Sequence, residues 1–540
     1  MDFVLKNAKI PNFGKLKFEK VNVGIKGGVI AKISTDNISG AQTIDCKNGV
    51  LSPGLIDCHC HIESSYLIPS LFGNIITGFG TLYVVADCHE ISNVAGKKGL
   101  EFFINNGNLS VCNIFYAVPS CVPATDFATS GGRLDTNDIL DLLSNNKVVA
   151  LGELMNIPAV LNRDKSVLTI IKKAKELNKK VNGHAPKLRS DLLKSYFAIG
   201  IDDDHENEEY SEIAEKISVG AYIFLREGSA EQSHASAYKA LEDFSEKIMF
   251  CTDDKTLNDI LENGHINYHL KKAVKNGINP VLALKVASYN GLTYYGLDKY
   301  AEVKEGNIAN LVLFNSEKEF NVEFSIINGK PFIETFEVGE IPKHLVNSLR
   351  INKIMNVPNI DEKIKHICIK VNDKSLITDK LFVDKNRPEF DLEKDLLKIV
   401  IFERYGYGYQ SAARITGFGL KRGAIASSLA HDCHNIIAVG TSDYAIRKAV
   451  NAIIEDSGGL AVFDEKTVYT VPLKVGGVVS AQDPYELAKK LSLIKERAKS
   501  ISHGYLTDPI STLTFMALEV IPHLKLTDRG LFDVDKFSYV

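Results

Sequence analysis

The sequence predicts an α/β protein built around a (β/α)8, TIM-like barrel, and three observations support this prediction. Between residues 53 and 299, short apolar segments alternate with helical patterns eight times. Side chains that bind metals recur where most of these segments end, and β-type segments flank the region on both sides. Eight alternations over roughly 250 residues suffice to close a barrel. An open, doubly wound sheet is the competing interpretation.

The eight predicted strands are short and mostly apolar, and helical patterns separate most of them. The strands are expected at residues 55–60, 82–86, 113–118, 148–152, 180–183, 200–203, 221–225 and 247–251. Helices are expected at 165–178, 188–197, 210–217 and 229–245, where the pattern is typical of amphipathic helices. We therefore expect the barrel domain to span residues 53–299.

Two flanking segments complete the predicted organisation. Residues 1–52 contain short strands with a hairpin signal at Gly27-Gly28, and similar strands return at 310–314 and 324–330. Neither segment has enough core to fold alone, so we expect 1–52 and 300–365 to form one small β-sandwich around the inserted barrel.

Residues 370–540 form a third predicted unit. Strands are expected at 397–402 and 436–439, and helices at 443–455 and 484–500. This pattern is compatible with either an α/β or an α+β domain.

Composition excludes several classes of protein. The chain has 540 residues and a net charge of −4, and its pI is about 6.4. These values give no electrostatic footprint for nucleic acid or an anionic membrane. No apolar stretch is long enough to span a bilayer, and the N-terminus lacks a signal-peptide pattern. Nine cysteines without a repeated CxxC pattern indicate a reducing cytoplasm.

The first barrel strand carries a pair of histidines. His59 and His61 are two residues apart, so both imidazoles lie on one face of the strand. Cys58 and Cys60 have the same spacing and fall on the opposite face, which excludes a mixed site of all four within this strand. Two imidazoles on one face are half of a metal site, although a chance alternation explains the pair alone equally well.

Further metal-binding side chains stand at five other strand ends. In chain order, these ends are Asp87-Cys88-His89-Glu90, Gly152-Glu153, Gly183-His184-Ala185-Pro186, Asp202-Asp203-Asp204-His205-Glu206 and Thr252-Asp253-Asp254. Catalytic groups of barrel enzymes project from the C-terminal ends of strands. Four histidines and two acids (His59, His61, His184, His205, Glu153 and Asp253) are thus expected to converge on one mouth.

Each of these residues also has a purely structural interpretation. Glu153 is compatible with a helix N-terminal acid, and His184 with a histidine satisfied in a loop. The acidic run 202–204 is most simply a solvated turn, and Asp254 is most simply a helix cap. Their coincidence at one end of the barrel favours the metal site.

The donor set predicts the metal chemistry. Mixed imidazole and carboxylate ligands suit Zn²⁺, Mn²⁺ or Fe²⁺. Six protein ligands exceed the need of one catalytic ion with an open position, so two ions bridged by Glu153 and a hydroxide are expected. Asp253 is placed to take the proton of that hydroxide.

At this point the sequence resembles the amidohydrolase superfamily and, within it, the adenine deaminase family. The superfamily pattern is Pro53-Gly54-Leu55-Ile56-Asp57-Cys58-His59-Cys60-His61 with the later acid, histidines and Asp253. More specific matches include His61-Ile62-Glu63-Ser64-Ser65, Val85-Ala86-Asp87-Cys88-His89-Glu90, Gly152-Glu153-Leu154-Met155-Asn156, Arg226-Glu227-Gly228-Ser229-Ala230 and His431-Asp432-Cys433-His434-Asn435. The resemblance spans nearly the whole chain.

The resemblance implies a metal-dependent hydrolase that converts adenine to hypoxanthine and ammonia in purine salvage, with a metal-bridging hydroxide attacking C6. His59, His61, Glu153, His184, His205 and Asp253 match the family's metal positions. Two divalent ions, Mn²⁺ before Fe²⁺ or Zn²⁺, are the implied cofactor, and a homodimer is the expected assembly. Another amidohydrolase, acting on a different base or a cyclic amide, and a non-catalytic barrel are the alternatives.

Other polar residues are assigned to the same mouth with their alternatives left open. Asp253, Glu90 and His89 are the expected catalytic groups, and Glu90 with His89 and Asp87 either protonates the ring or binds an extra ion. Asp87 either lies among the residues around the metal ions and substrate or supports the second strand. Arg226 either orients the base or pairs with Glu227. In the C-terminal region, His431, Asp432 and His434 either line the mouth of the barrel or form a local network in a turn.

Overall fold

The structure is a computed structural model that describes residues 1–229 and 231–540. Its central element is a barrel of eight parallel strands that follow one another in chain order. The first to the eighth barrel strands are Leu55–Cys60, Thr81–Asp87, Asn113–Val118, Val148–Leu151, Lys180–Val181, Asp203–Asp204, Tyr222–Arg226 and Ile248–Cys251.

Two sets of hydrogen bonds join the sheet segments into a closed barrel. Between the fifth and sixth strands, the Asp202 N–H donates to the Val181 carbonyl at 2.9 Å. Between the eighth and first strands, the Asp253 N–H donates to the His59 carbonyl at 3.0 Å and the His61 N–H donates to the Asp253 carbonyl at 3.1 Å. This closure confirms the predicted barrel and excludes the open sheet.

Helices surround the barrel. Those of the barrel region are Pro69–Gly78, His89–Gly107, Thr136–Leu142, Ile157–Leu161, Lys165–Glu176, Ser190–Phe197, Tyr210–Ser218, Ala240–Phe244, Leu257–Asn263, Ile266–Lys275, Pro280–Leu284 and Asn290–Tyr294. The helix Lys165–Glu176 buries Ile170, Ile171 and Ala174 and exposes most of its lysines, because residues three and four apart share one face.

One predicted helix differs from the structure. The segment 229–245 contains a 3₁₀ turn, Ala235–Lys239, followed by the short helix Ala240–Phe244. The Ser233 N–H donates to the Arg226 carbonyl at 2.9 Å, which holds the preceding residues against the seventh strand. Ala230 lies outside the described residues.

Strands from both sides of the barrel belong to one eight-stranded sheet. Its strands are Phe3–Asn12, Lys17–Lys26, Val29–Ser34, Gln42–Asp45, Val50–Pro53, Leu311–Phe314, Val322–Ile327 and Lys330–Pro331. The strand Val50–Pro53 pairs antiparallel with Leu311–Phe314 and continues through Gly54 into the first barrel strand. This sheet therefore anchors the strand that carries His59 and His61.

The C-terminal region contains a second eight-stranded sheet. Its strands are Ile367–Lys370, Asp379–Phe382, Leu397–Phe402, Gln410–Thr416, Ala424–Ser427, Ile436–Gly440, Gly459–Phe463 and Val468–Pro472. All neighbouring pairs are antiparallel except Ile367–Lys370 with Gln410–Thr416. Antiparallel pairing with flanking helices is the α+β arrangement, one of the two forms that the sequence left open.

Helices and a small sheet complete this region. The helices are Asp443–Glu455, Pro484–Ile501 and Pro509–Thr514, and the small sheet contains Leu524–Thr527, Gly530–Asp533 and Ser538–Tyr539. The helix Asp443–Glu455 begins after Ser442, whose side chain accepts a hydrogen bond from the Ala445 N–H.

The C-terminal region packs directly on the barrel mouth. The loop after the third barrel strand contacts it through Thr129, whose N–H donates to Asp528 at 2.9 Å and whose carbonyl accepts from Asn435 at 3.0 Å. One hydrophobic cluster includes residues of both regions, such as Leu67 and Val479. Among the helices described, none is long and apolar enough to cross a membrane.

Candidate active site

Glu153 lies at the centre of the barrel mouth, directly after the fourth strand. Imidazole nitrogens of four histidines lie within 4 Å of its carboxylate. The distances are 2.8 Å to His184 Nδ1, 3.4 Å to His205 Nε2, 3.5 Å to His61 Nε2 and 3.6 Å to His89 Nδ1. Only 3% of Glu153 is exposed, so the cluster is sealed from most solvent. These histidines come from the first, second, fifth and sixth strand ends, as the alternation predicted.

Asp253 lies beside this centre, at the end of the eighth strand. Its Oδ1 atom is 3.0 Å from His61 Nε2 and 3.5 Å from His59 Nε2. Its Oδ2 atom accepts a hydrogen bond from Arg226 Nη1 at 2.9 Å. One carboxylate oxygen thus faces the imidazoles while the guanidinium holds the other.

The donor atoms form overlapping groups that are able to hold metal ions. Within each group the donor atoms lie within 4.8 Å of one another: His59, His61 and Asp253; His59, Glu153 and His205; His61, His89 and Glu153; His184, His205 and Glu206; and His89, Glu90 and Asp432. Imidazole and carboxylate donors suit a first-row divalent ion. The donor set therefore fits a metal centre, with Glu153 shared by two of the groups.

Buried nitrogen atoms support this fit. His59 Nε2 and His184 Nδ1 are buried and face carboxylates, yet neither has a hydrogen bond of acceptable geometry within the described residues. An unsatisfied buried imidazole nitrogen costs free energy. Coordination of an ion between nitrogen and carboxylate removes that cost.

The charges of the cluster explain the pKa shifts of its members. Burial alone would raise the pKa of Glu153, but the imidazoles of His184, His205 and His61 outweigh burial and hold it well below its usual range. Burial and the nearby His59 lower the pKa of His205 to about 4, which keeps this imidazole neutral. For His184 burial is opposed by Glu153 and Glu206, which raise its pKa to about 9. Glu153 is therefore ionised at neutral pH, as a carboxylate ligand of a metal ion must be.

Asp87 supports the centre through the backbone. Its Oδ2 atom accepts a hydrogen bond from the Glu153 N–H at 3.0 Å, and its backbone carbonyl lies 2.8 Å from His61 Nδ1. A Cβ atom at Gly152 would lie 2.2 Å from Asp87 Oδ2, so only glycine permits this approach. Asp87 therefore orients Glu153 and His61.

A second group of polar residues joins the barrel to the C-terminal region. Glu90 Oε1 lies 3.7 Å from His89 Nε2 and 2.8 Å from His431 Nδ1. His434 Nε2 contacts Glu90 Oε2. Asp432 lies close enough to join His89 and Glu90 in one donor group. The structure thus places His431, Asp432 and His434 at the barrel mouth and not in a network confined to their own turn.

The two faces of the first strand separate as its alternation predicts. His59 and His61 contribute to the donor groups. Cys58 is fully buried and packs against the helix Asn290–Tyr294, where a Cβ atom at Gly291 would lie 2.5 Å from its Sγ atom. Cys58 and Cys60 are both buried free thiols.

Two structural interpretations made from the sequence are wrong. Arg226 does not pair with Glu227: it contacts Glu206 at 2.7 Å and Asp253 at 2.9 Å, whereas Glu227 pairs with Lys272 at 2.6 Å. Asp254 does not cap the helix Leu257–Asn263, whose N-cap is Thr256. Its carboxylate instead accepts a hydrogen bond from Ser64.

The acidic run 202–204 is not a solvated turn. Asp203 and Asp204 form the sixth barrel strand and are completely buried. Asp203 accepts hydrogen bonds from Asn182 at 2.8 Å and from the Tyr294 hydroxyl at 2.6 Å. These neutral donors, together with Lys216 beside Asp204, compensate the burial.

Sequence reasoning missed one residue of the mouth. Glu206 Oε1 lies 3.6 Å from His205 Nε2 and 3.7 Å from His184 Nδ1, and it accepts from Arg226. The available signal was its position next to His205 in the segment that follows the sixth strand. An acid there is within reach of the guanidinium that ends the seventh strand.

Comparison with known proteins agrees with this geometry. A family model described as the amidohydrolase family matches residues 50–332, and a model described as the adenine deaminase C-terminal domain matches residues 374–538. The fold, the donor set and the first match define the chain as an amidohydrolase. This family generally uses a metal ion, and the barrel mouth holds residues able to bind one.

Full-length relatives narrow the assignment. An adenine deaminase of Thermosipho africanus is 36% identical over 556 residues, covering 100% of this chain and 96% of the relative. One of Desulfatibacillum aliphaticivorans is 37% identical with the same coverage, and one of Methanosarcina mazei is 37% identical over 96% of both chains. The chain belongs to the adenine deaminase family.

Proposed function

We propose that this protein hydrolyses adenine to hypoxanthine and ammonia, as a step of purine salvage. The observation that carries the proposal is the Glu153 centre, where four imidazole nitrogens lie within 4 Å of one buried carboxylate. The names of the full-length relatives support adenine as the substrate. A bond forms between a water oxygen and C6, and the bond from C6 to the exocyclic nitrogen breaks.

Six residues would hold the metal ions: His59, His61, Glu153, His184, His205 and Asp253. We propose two divalent ions, Mn²⁺ before Fe²⁺ or Zn²⁺, because the two donor groups that contain Glu153 contact different oxygens of its carboxylate: His61 and His89 lie nearest Oε1, and His205 lies nearest Oε2. When bound, such ions lower the pKa of a coordinated water and so supply a nucleophile at neutral pH.

Asp253 carries the proton of the attacking water. Arg226 fixes its Oδ2 atom at 2.9 Å, which leaves Oδ1 directed toward His59 and His61. In this orientation the carboxylate accepts a proton as the oxygen adds to C6 and returns it to the departing amine. The guanidinium also stabilises Asp253 in its ionised form.

His89 and Glu90 provide a second proton path at the neighbouring strand end. Their side chains lie 3.7 Å apart, and His89 also lies 3.6 Å from Glu153. This pair delivers a proton to the ring nitrogen next to C6 and recovers one from the hydroxyl as the carbonyl of hypoxanthine forms. Both side chains are at least nine-tenths buried, so few waters compete for these protons.

The test of the proposed reaction uses the protein loaded with Mn²⁺. Loss of adenine absorbance and release of ammonia are followed together, and the bound metal is counted. Equimolar hypoxanthine and ammonia are expected. A loaded protein that leaves adenine unchanged but opens a cyclic amide, or deaminates another base, would show that the proposed substrate is wrong.

Two substitutions separate metal binding from proton transfer. His61→Asn removes a ligand nitrogen and should abolish metal content and activity together. Asp253→Asn should keep most of the metal, since the amide oxygen of asparagine stands where the carboxylate oxygen stood, and lower kcat by about 10²- to 10⁴-fold. Asp191→Asn is the matched control, because 95% of that side chain is exposed. Normal turnover of Asp253→Asn would contradict the proton-transfer role.

We further propose the division into three domains: residues 1–52 with 300–365, residues 53–299, and residues 370–540. The two eight-stranded sheets and the barrel support it. A cytoplasmic protein that binds neither nucleic acid nor membrane is proposed from the net charge of −4 and the free cysteines, and a homodimer is proposed from the family resemblance alone. Light scattering of the purified protein tests the dimer.

A further inference from the structure

Glu90 belongs to the barrel, but the residues that contact its carboxylate belong mostly to the C-terminal region. It is the second residue of the helix His89–Gly107 and is 4% exposed. His431 Nδ1 lies 2.8 Å from Oε1, and His434 Nε2 contacts Oε2. Each carboxylate oxygen therefore has its own imidazole, and both imidazoles come from one loop. A glutamate held at both oxygens retains little freedom about its side-chain torsions.

The loop that carries these imidazoles is itself fixed at several points. It connects the strands Ala424–Ser427 and Ile436–Gly440. The His431 N–H donates to the Thr514 carbonyl at 3.1 Å, and its ring stacks on Phe515 with 4.4 Å between centroids. The His434 N–H donates to the Ala430 carbonyl at 2.6 Å. The imidazoles thus approach Glu90 from a rigid support.

Two further contacts tie this loop to its surroundings. The Tyr405 hydroxyl donates to the Cys433 carbonyl at 2.6 Å, and Asn435 donates to the Thr129 carbonyl of the barrel at 3.0 Å. The Asn435 contact crosses from the C-terminal region to the loop after the third barrel strand. The position of the two imidazoles relative to Glu90 is therefore set by how the two regions dock.

The same carboxylate reaches toward the centre of the mouth. Glu90 Oε1 lies 3.7 Å from His89 Nε2, and His89 Nδ1 lies 3.6 Å from Glu153. Displacement of Glu90 would leave His89 without its carboxylate neighbour on that side. A shift of about 1 Å in such a group is enough to cost about 100-fold in rate.

We propose that His431 and His434 are positioning residues of the active site, which hold Glu90 against His89 so that the C-terminal domain completes the catalytic constellation. The proposal rests on the function proposed above, since the rate it concerns is that of adenine deamination. It assigns the two histidines a role through Glu90 and no contact with a metal ion.

The contacting nitrogens suggest the variants that test this role. His431 contacts Glu90 through Nδ1, and the side-chain nitrogen of asparagine occupies a similar position. His434 contacts Glu90 through Nε2, and the side-chain nitrogen of glutamine occupies a similar position. The double variant His431→Asn with His434→Gln should keep kcat within about fivefold of wild type. The double alanine variant should lose about 100-fold in kcat with KM changed less than about threefold. His344→Gln, at an exposed position outside both sheets, is the matched control.

A double-mutant cycle with Glu90→Gln provides the decisive comparison. If the imidazoles act through Glu90, removing them in the Glu90→Gln protein should cost little further rate. If the losses in kcat multiply instead, the histidines act independently of Glu90 and the proposal is overturned. A Glu90→Gln protein with normal kcat would also overturn it. Metal is counted in every variant: loss of an ion on removal of the histidines would assign them to a metal site and also overturn it.

The outcomes remain distinguishable from failure of the proposed function. If wild-type protein does not deaminate adenine, the substrate assignment fails before any variant is compared. If wild type is active and the alanine variants retain its kcat, only the positioning role fails. If the double alanine variant does not fold, His431→Ala alone replaces it in this test. The His431 side chain is 19% exposed, so its removal leaves a smaller cavity than removal of both histidines. An unchanged kcat in that variant would likewise contradict the proposal.

Discussion

Two buried glutamates at the barrel mouth have similar surroundings of different origin. Glu153 is surrounded by imidazoles from the barrel's own strand ends, at 2.8 to 3.6 Å. Glu90 is contacted by His431 and His434, the latter 344 residues further along the chain. The first environment follows from barrel closure, because parallel strands in order bring their ends together. The second exists only after two regions have docked.

This difference separates two parts of the chemistry. The six proposed metal donors all lie in the barrel, whereas the proposed proton path through Glu90 depends on contacts with the C-terminal region. A substitution at the Glu153 centre should therefore affect metal content, and one near Glu90 should affect turnover with the metal retained. Three substitutions of decreasing effect test whether metal content and turnover separate in this way.

Glu153→Gln should have the largest effect. It removes the negative charge that four imidazoles surround and leaves an amide donor facing them. We expect loss of most bound metal and a fall in kcat/KM on the order of 10⁴-fold, measured by metal analysis and adenine turnover. Glu176→Gln, whose side chain is 55% exposed, is the control. A Glu153→Gln variant that kept its full metal content would contradict the proposal that the Glu153 centre holds the metal.

Arg226→Lys should have an intermediate effect. Lysine keeps the positive charge but lacks the planar guanidinium group that donates hydrogen bonds to Glu206 and Asp253 at the same time. We expect kcat to fall by about 10- to 30-fold because Asp253 is less well oriented, while metal content stays near that of wild type. Steady-state kinetics beside the exposed control Arg163→Lys provide the measurement. An unchanged kcat would show that Asp253 needs no such support.

Tyr405→Phe should have the smallest effect. It removes one hydrogen bond, from the Tyr405 hydroxyl to the Cys433 carbonyl in the loop that holds Glu90. The loss of about 1 kcal/mol corresponds to a fall in kcat of about fivefold or less. Metal content should not change. Tyr407→Phe, at a side chain that is 69% exposed, should match wild type. A loss of metal in Tyr405→Phe would contradict the separation.

The barrel was predictable because its periodicity is local. The predicted strands 55–60 and 113–118 agree with Leu55–Cys60 and Asn113–Val118, and the predicted helix 443–455 agrees with Asp443–Glu455. The candidate metal donors were predictable for a related reason. Each lies at the C-terminal end of a strand or within three residues after it, and the order of parallel strands decides which of them meet.

The surroundings of individual side chains were harder to predict. A pair with its neighbour Glu227 was one of two interpretations of Arg226, but adjacent residues along an extended chain point to opposite faces, and Arg226 faces Glu206 and Asp253. The buried run at Asp203 and Asp204 looked like a solvated turn because its compensating partners, Tyr294 and Lys216, lie elsewhere in the sequence. Pairs made by tertiary packing leave no local pattern.

The closure of the barrel has a consequence for how the donor groups assemble. The hydrogen bonds that join the last strand to the first are made by the peptide groups of His59, His61 and Asp253 themselves. The pairing of the eighth strand with the first and the meeting of these three side chains are consequently one event. A chain that had formed every other strand pair would still hold an incomplete set of donors, so the mouth acquires its chemistry in the same step that gives the barrel its closed shape.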